Sequence, residues 1–253
     1  MNRVNAPDGT PLVYDAYEPA TPAVAVLCLH DWGLAERWGE AGALLREAGC
    51  AAYFLDQRGH GRSGGRRGHL SRFSQLLGDL QAFRRDVRRR QDIPQVLVGH
   101  GFGGLVVLRY LETQPGEPPA AAVISSPWLA SRVRPAVWKL LAARLADLWP
   151  TLPTGRGSEF MTAGARAELQ WAQRAVLADH QRIERPLLFM LGAQDHIVDP
   201  AVARRFADNL GPHAQVQWYP DLSHELFSVR RVMEDLTRFI AGYRSLDSNP
   251  RRE

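Results

Sequence analysis

Val96-Leu-Val-Gly-His-Gly-Phe-Gly-Gly-Leu-Val-Val-Leu-Arg-Tyr-Leu111 combines a short apolar run, a glycine-rich turn and a helical apolar pattern. A strand, a sharp turn and a helix, with glycines on both sides of the central residue, form a nucleophile elbow, which exposes a serine hydroxyl above a sheet. The central residue of Gly99-His-Gly-Phe-Gly103 is Gly101. The pattern therefore predicts the scaffold of a hydrolytic site without the atom that would attack a substrate.

Apolar runs and amphipathic segments alternate along the rest of the chain, which is typical of parallel strands joined by crossover helices. Asp8-Gly9 predicts a turn between Val4-Asn5 and the segment 12–17, and hence an antiparallel start. The predicted class is α/β, a mostly parallel, doubly wound sheet. Predicted strands cover 24–29, 51–55, 96–98, 121–125, 187–191 and 216–219, and predicted helices cover 37–48, 73–90, 104–113, 201–209 and 229–243.

One segment, 127–185, interrupts this alternation with two helical patterns, at 135–148 and 163–180. We expect it to be a helical cap inserted into a single hydrolase core formed by 1–126 and 186–253. The cap is rich in tryptophan and leucine, and two interpretations of Trp128, Trp138 and Trp171 stay open. They either form the small core of the cap or line an apolar acyl pocket.

Composition excludes several classes of protein. The 253 residues are 45% hydrophobic and 23% charged, which is ordinary for a globular domain. No apolar run reaches the roughly 18 residues of a membrane span, and the first residues lack the apolar core of a signal peptide, so we expect a cytoplasmic protein without an integral membrane segment. Cys28 and Cys50 lie in or beside apolar runs and indicate buried thiols.

The net charge of +4 arises from 31 basic residues, all of them arginine except Lys139. The densest cluster comprises Arg84, Arg85, Arg88, Arg89 and Arg90. Such a run is more typical of a solvated helix face than of a phosphate-binding patch. We therefore expect no nucleic-acid partner.

The sequence also contains a literal G-x-S-x-G pattern, Gly61-Arg-Ser-Gly-Gly65. It begins six residues beyond the strand that ends at Leu55, and no helix starts directly after it. A nucleophile elbow needs both the strand and the helix. Ser63 is therefore not predicted to be a nucleophile.

Partners for an elbow residue follow in the order nucleophile, acid, histidine. Asp195 lies in the loop after the strand at 187–191, and His224 lies in the loop after the strand at 216–219. Catalytic groups of open α/β sheets gather at these carboxyl ends. The predicted oxyanion donors are two backbone N–H groups, those of Phe102 and Trp32. No cluster has the spacing of metal ligands.

The chain resembles the monoacylglycerol lipase and lysophospholipase branch of the α/β-hydrolases, also called serine aminopeptidase S33 or hydrolase 4. The resemblance runs through His30-Asp-Trp-Gly33, Asp56-Gln-Arg-Gly-His-Gly-Arg-Ser63 with Arg67-Gly-His69, Gly99-His-Gly-Phe-Gly-Gly104, Gly192-Ala-Gln-Asp-His-Ile-Val-Asp-Pro200 and Tyr219-Pro-Asp-Leu-Ser-His-Glu-Leu226. It implies hydrolysis of carboxylic esters by a Ser-Asp-His triad without a cofactor. Three features depart from the family: Gly101 replaces the serine, Asp31 replaces the second residue of HGxG, and the cap segment is short. We expect Asp31 to line the substrate pocket and to add a negative side chain near the oxyanion site.

Two hypotheses follow for the function. The first is an esterase site that has lost its serine, by natural replacement or by engineering, and is inactive or nearly so. The second is a catalytically silent protein that binds an apolar acyl-type small molecule. An aspartate-nucleophile dehalogenase or epoxide hydrolase is disfavoured, because no aspartate stands at the elbow.

Overall fold

The computed structural model of the protein describes residues 1–33, 39–113, 117–132, 149–153, 160–179 and 182–243. The predicted helix at 135–148 and Trp138 lie outside these residues. No helix in the described ranges is long and apolar enough to cross a membrane.

A single eight-stranded sheet forms the centre of the protein, in the order β1-β2-β4-β3-β5-β6-β7-β8. The first two pairings are antiparallel, and all the others are parallel. This arrangement confirms the predicted mostly parallel sheet with an antiparallel start. The strands are β1 Asn2–Asn5, β2 Pro11–Tyr17, β3 Val24–Leu29, β4 Cys50–Asp56, β5 Gln95–His100, β6 Ala121–Ser125, β7 Leu187–Gly192 and β8 Ala214–Tyr219.

The described residues include six α-helices: α1 Gly39–Glu47, α2 Ser74–Arg90, α3 Phe102–Thr113, α4 Ala163–Asp179, α5 Pro200–Asn209 and α6 Arg230–Ala241. Buried side chains of α2, α3 and α5 pack on one face, and those of α1 and α6 pack on the other. The central strands β3 to β7 are buried throughout, which is why they read as continuous apolar runs in the sequence. The sheet is doubly wound, as predicted.

Helix α4 comes from the predicted cap segment and packs against α3. Its apolar side chains, among them Leu169 and Val176, join the core on that face of the sheet. The division of the chain into a core and a cap stays a prediction, because much of 127–185 lies outside the described residues.

The arginine cluster on α2 differs from the expected solvated face at one position. Arg84 is buried, and its guanidinium donates hydrogen bonds to Gln95 Oε1 (2.9 Å) and to the Tyr110 hydroxyl (2.8 Å). The other four arginines are exposed. Arg84 thus joins α2 to β5 and α3, because a buried guanidinium needs acceptors on several sides.

Candidate active site

The turn between β5 and α3 has the geometry of a nucleophile elbow. Gly101 adopts a left-handed backbone with φ +54°, and its N–H donates to the Ser125 carbonyl at 2.9 Å. The flanking glycines are required by close approach. A Cβ at Gly99 would lie 2.4 Å from the Gly103 carbonyl oxygen, and one at Gly103 would lie 2.3 Å from the Leu29 carbonyl oxygen. The sharp turn therefore depends on Gly99 and Gly103, where a Cβ would meet backbone atoms.

Asp195 and His224 meet at the carboxyl ends of β7 and β8. His224 Nδ1 donates to Asp195 Oδ2 at 2.7 Å, and both side chains are buried. The second oxygen, Asp195 Oδ1, accepts the backbone N–H groups of Ile197 (2.8 Å) and Val198 (3.0 Å). The predicted acid and histidine are thus brought together, and the loop after β7 holds the carboxylate in a fixed orientation.

Asp31, in the loop after β3, contacts both the elbow and His224. Its Oδ1 accepts the Phe102 N–H at 2.6 Å, and its Oδ2 accepts a hydrogen bond from His224 Nε2 at 3.1 Å. A Cβ built on Gly101 would lie 2.2 Å from Asp31 Cγ. The carboxylate therefore fills the volume that a side chain at position 101 would need.

A neighbouring histidine fixes the loop that carries Asp31. His30 Nε2 accepts the Gln57 N–H at 3.0 Å, so the ring proton is on Nδ1, which donates to the Asp31 carbonyl at 2.6 Å. The Gln57 side chain in turn donates to the His30 carbonyl at 2.7 Å. Burial lowers the pKa of His30, in keeping with a neutral ring. Asp31 is therefore held by its backbone as well as by its carboxylate.

The site contains two carboxylates around one imidazole. Ionised carboxylates only accept hydrogen bonds, so contacts on both ring nitrogens require His224 to carry two protons. Burial would lower the pKa of His224, but the hydrogen bonds and charges of Asp195 and Asp31 outweigh it and raise the pKa to about 10. Burial likewise opposes ionisation of Asp31 and Asp195, yet their hydrogen bonds to His224 lower both pKa values. At neutral pH the group is a buried cation between two anions.

His100 lies beneath this cluster and was not singled out from the sequence. Its ring centre is 4.8 Å from that of His224, and its Nδ1 lies 3.0 Å from Ser125 Oγ. Burial lowers the pKa of His100 to about 4. It therefore adds no positive charge beside the His224 cation, which is favourable at this distance.

The predicted oxyanion donors are only partly available. The Phe102 N–H is already occupied by Asp31. Trp32 is next in the chain, and its indole N–H donates to the Phe160 carbonyl at 3.1 Å while its ring packs edge-on against His60 and Phe102. The role of the Trp32 backbone N–H as the second oxyanion donor stays a prediction.

Two of the three predicted pocket tryptophans, Trp128 and Trp171, lie in the described residues, and they differ in position. Trp128 lies at the elbow, where its backbone N–H donates to the Gly101 carbonyl at 2.9 Å. Trp171 is 51% exposed on α4, and the Arg109 guanidinium lies over its ring at 5.2 Å. A pocket role for Trp171 is therefore not supported, because its ring forms a cation–π contact on the surface instead.

Ser63 has a structural role. Its hydroxyl donates to the Asp56 carbonyl and accepts the Val13 N–H at 2.9 Å. Both contacts tie the glycine-rich loop to strands β2 and β4. The serine of the G-x-S-x-G pattern at 61–65 therefore stabilises a loop.

The sequence predicts the charge of Asp31 near the oxyanion site, but sequence reasoning missed its contacts with Phe102 and His224. The available signal was a paired departure from the family pattern: a side chain at the second residue of HGxG and none at the elbow centre. The structure shows that the Asp31 carboxylate occupies the space that a side chain at position 101 would need.

Comparisons with known proteins agree with this fold. Residues 22–167 and 156–229 match the Hydrolase_4 family, described as serine aminopeptidase, S33. A monoacylglycerol lipase of Mycolicibacterium smegmatis is 28% identical over 93% of this chain and 94% of its own length. The crystal structure of Paleococcus ferrophilus monoacylglycerol lipase superposes with a TM-score of 0.76 at 25% identity, over 92% of this chain and 98% of that one.

A soluble variant of monoglyceride lipase from Saccharomyces cerevisiae, solved with a substrate analog, has a TM-score of 0.81 at 18% identity. It covers 95% of this chain and 93% of its own. This second structure supports the fold.

Proposed function

The chain belongs to the serine aminopeptidase S33 family of α/β-hydrolases, and from this premise we propose that its site is a carboxylic ester hydrolase site of the monoacylglycerol lipase type that has lost the serine reaction. In the serine-bearing form of the site, a hydroxyl at position 101 attacks the ester carbonyl and His224 takes its proton. Asp195 orients His224, and the N–H groups of Phe102 and Trp32 bind the oxyanion. The substrate class of that form is a carboxylic ester with an acyl chain.

We infer the loss of the serine reaction from one observation. The Asp31 carboxylate accepts hydrogen bonds from both the Phe102 N–H and His224 Nε2. It occupies an oxyanion donor, so a tetrahedral oxyanion would have to displace a fixed charge. It also keeps His224 doubly protonated, and a doubly protonated imidazole cannot accept a proton from a nucleophile. Restoring the serine alone is therefore not enough.

The test of this proposal reverses the two departures from the family, Gly101 and Asp31, separately and together. We expect Gly101→Ser alone to remain slow on p-nitrophenyl butyrate, since its Cβ would come within 2.2 Å of Asp31 Cγ. Adding Asp31→Gly removes that contact and frees the Phe102 N–H. The double variant should then exceed the unaltered chain by at least about a hundredfold in kcat/KM, within the range that a complete triad supplies.

Two controls make the result specific. Asp31→Gly alone lacks the hydroxyl and should stay slow, and His224→Gln in the double variant should abolish the gain. If the double variant folds and shows no gain, the esterase assignment fails. That outcome would favour the alternative hypothesis, a silent binding protein for an acyl-type ligand.

A further inference from the structure

We propose that Asp31 is itself a nucleophile, and that the protein hydrolyses apolar epoxides to vicinal diols through an ester of the Asp31 carboxylate. The inference goes beyond the serine chemistry of the preceding section. It assigns an activity to the chain as it stands, with Gly101 at the elbow.

The first argument is position. The Asp31 carboxyl carbon lies within 2.2 Å of the point where the Cβ of a residue at 101 would stand. Its Oδ2 lies 3.1 Å from His224 Nε2, in the place of a nucleophilic oxygen beside its histidine. The elbow keeps its shape, and a carboxylate from a neighbouring strand end supplies the missing nucleophile.

The second argument concerns the kind of carbon that this carboxylate can attack. Attack on an ester carbonyl would create an oxyanion on the substrate, while the Phe102 N–H is already held by Asp31 Oδ1 at 2.6 Å. Attack on a saturated carbon creates no oxyanion at that carbon. Hydrolysis of the resulting Asp31 ester then places negative charge on Oδ1 itself, where the Phe102 N–H is already aimed. The geometry thus fits an alkylating electrophile.

The third argument is the proton on His224, and it selects an epoxide over an alkyl halide. In the first step Asp31 Oδ2 bonds to an epoxide carbon, the carbon–oxygen bond breaks, and its electron pair stays on the epoxide oxygen. That oxygen takes the proton from His224 Nε2, so His224 becomes neutral while Asp31 loses its charge. Departure of a halide would leave His224 protonated and without a base function.

The second step restores the resting site. Neutral His224 takes a proton from water, whose oxygen bonds to Asp31 Cγ. The tetrahedral species collapses with cleavage of the bond between Cγ and the alkylated oxygen, and the departing alkoxide takes the proton of the new carboxyl group. Asp31 is again ionised and His224 again carries two protons. The sum is epoxide plus water to diol.

The surroundings of Asp31 indicate an apolar substrate. Trp32 follows Asp31 in the chain, and its ring packs 5.1 Å from the ring of Phe102, whose backbone N–H holds the carboxylate. We therefore choose styrene oxide and 1,2-epoxyoctane as probes.

The decisive experiment is a single turnover of the unaltered chain in ¹⁸O-water, followed by mass spectrometry of the peptide that contains Asp31. The mechanism transfers a carboxylate oxygen to the diol, so one ¹⁸O should appear in Asp31 and none in the first diol formed. His224→Gln lacks both the proton donor of the first step and the base of the second, and should give neither label nor adduct. Asp31→Asn should give neither label nor adduct.

Asp92→Asn is the matched control, because Asp92 is a carboxylate exposed on the surface and should leave labelling of Asp31 unchanged. The proposal is overturned if neither epoxide labels Asp31 nor forms an adduct with it. It is also overturned if the label appears only in the diol, since water would then attack the epoxide directly. Asp31 would in that case only occupy the oxyanion site. The double variant that decides the esterase test lacks Asp31, so the two proposals fail independently.

Discussion

Gly101 and Asp31 share one volume in the folded chain. A side chain at 101 and the carboxylate at 31 cannot both be accommodated, because their atoms would lie 2.2 Å apart. Residue 101 therefore affects catalysis and stability through the same contact. The contact can be measured without any substrate.

We predict that Gly101→Ala lowers the free energy of unfolding more than Gly211→Ala does. Both glycines have a left-handed backbone, with φ +54° and +62°, so a Cβ at either costs about 1–2 kcal/mol. In the described chain nothing lies within 4 Å of a Cβ at Gly211. At Gly101 the Cβ displaces Asp31 and its charge-assisted hydrogen bonds, which adds about 1–3 kcal/mol.

Urea unfolding of the two variants measures this difference. In the Asp31→Gly background Gly101→Ala no longer meets a carboxylate, so its loss, measured against Asp31→Gly alone, should come close to that of Gly211→Ala. Equal losses for the two single variants would show that Asp31 is not held at the elbow.

At the scale of secondary structure elements, α3 and α4 are joined by a partly buried ion cluster. Arg109 Nη1 on α3 lies 2.9 Å from Glu112 Oε2 and 3.0 Å from Asp179 Oδ2 at the end of α4. Burial raises the pKa of Glu112 to about 7, Asp179 adds to the rise, and the charges of Arg109 and Arg182 oppose it. We therefore expect the contact between α3, the helix that follows the elbow, and α4 to be sensitive to pH.

We predict that Glu112 makes the protein less stable as pH rises from about 5 to 7. The pKa of this glutamate is raised from 4.5 to about 7 on folding, so in this window the folded chain holds a proton that the unfolded chain has released. The free energy of unfolding then falls with rising pH, by up to about 3 kcal/mol. Glu112→Gln titrates in neither state and should lose this contribution.

Measurements of Tm between pH 5 and 8 test whether stability falls as pH rises. Glu234→Gln is the control, because Glu234 is exposed beside Arg230 and should keep the slope of the unaltered chain. A Glu112→Gln slope equal to that of the unaltered chain contradicts the prediction.

At the scale of the whole molecule, Arg58 joins three parts of the chain. Its Nε and Nη2 lie 2.5 and 2.6 Å from the Asp79 carboxylate on α2, and its Nη1 lies 2.8 Å from Asp8 in the β1–β2 turn. Arg58 itself follows β4. The first hairpin, the glycine-rich loop and α2 are thus held by one bidentate ion pair and a second contact.

We predict that Arg58→Leu destabilises the protein by about 3–5 kcal/mol, because it leaves the buried Asp79 carboxylate without its partner. Arg58→Leu with Asp79→Leu removes the orphaned charge and should recover most of the loss. Arg230→Leu, at an exposed pair on α6, should change stability by less than about 1 kcal/mol. Denaturant unfolding of the three variants checks the order. A double variant no more stable than Arg58→Leu would contradict it.

The α/β class, the strands and the helices could be predicted from the sequence because their signals are local. The buried strands β3 to β7 are apolar runs, and Asp8-Gly9 marks the first hairpin. The positions of Asp195 and His224 could also be predicted, because each follows an apolar run and such loops meet at one edge of a parallel sheet. The elbow shape at Gly101 follows from Gly99 and Gly103, whose close backbone approaches leave no room for a Cβ.

Contacts between side chains far apart in the sequence were decided only by the tertiary structure. Arg84 is buried because β5 and α3 surround it with acceptors, and Trp171 faces outward under Arg109. Asp31 precedes Phe102 by 71 residues, and the two meet because β3 and β5 are neighbours in the sheet. No local pattern states which strands are adjacent or where a loop side chain points, so only the folded chain shows a carboxylate in the place of the absent serine.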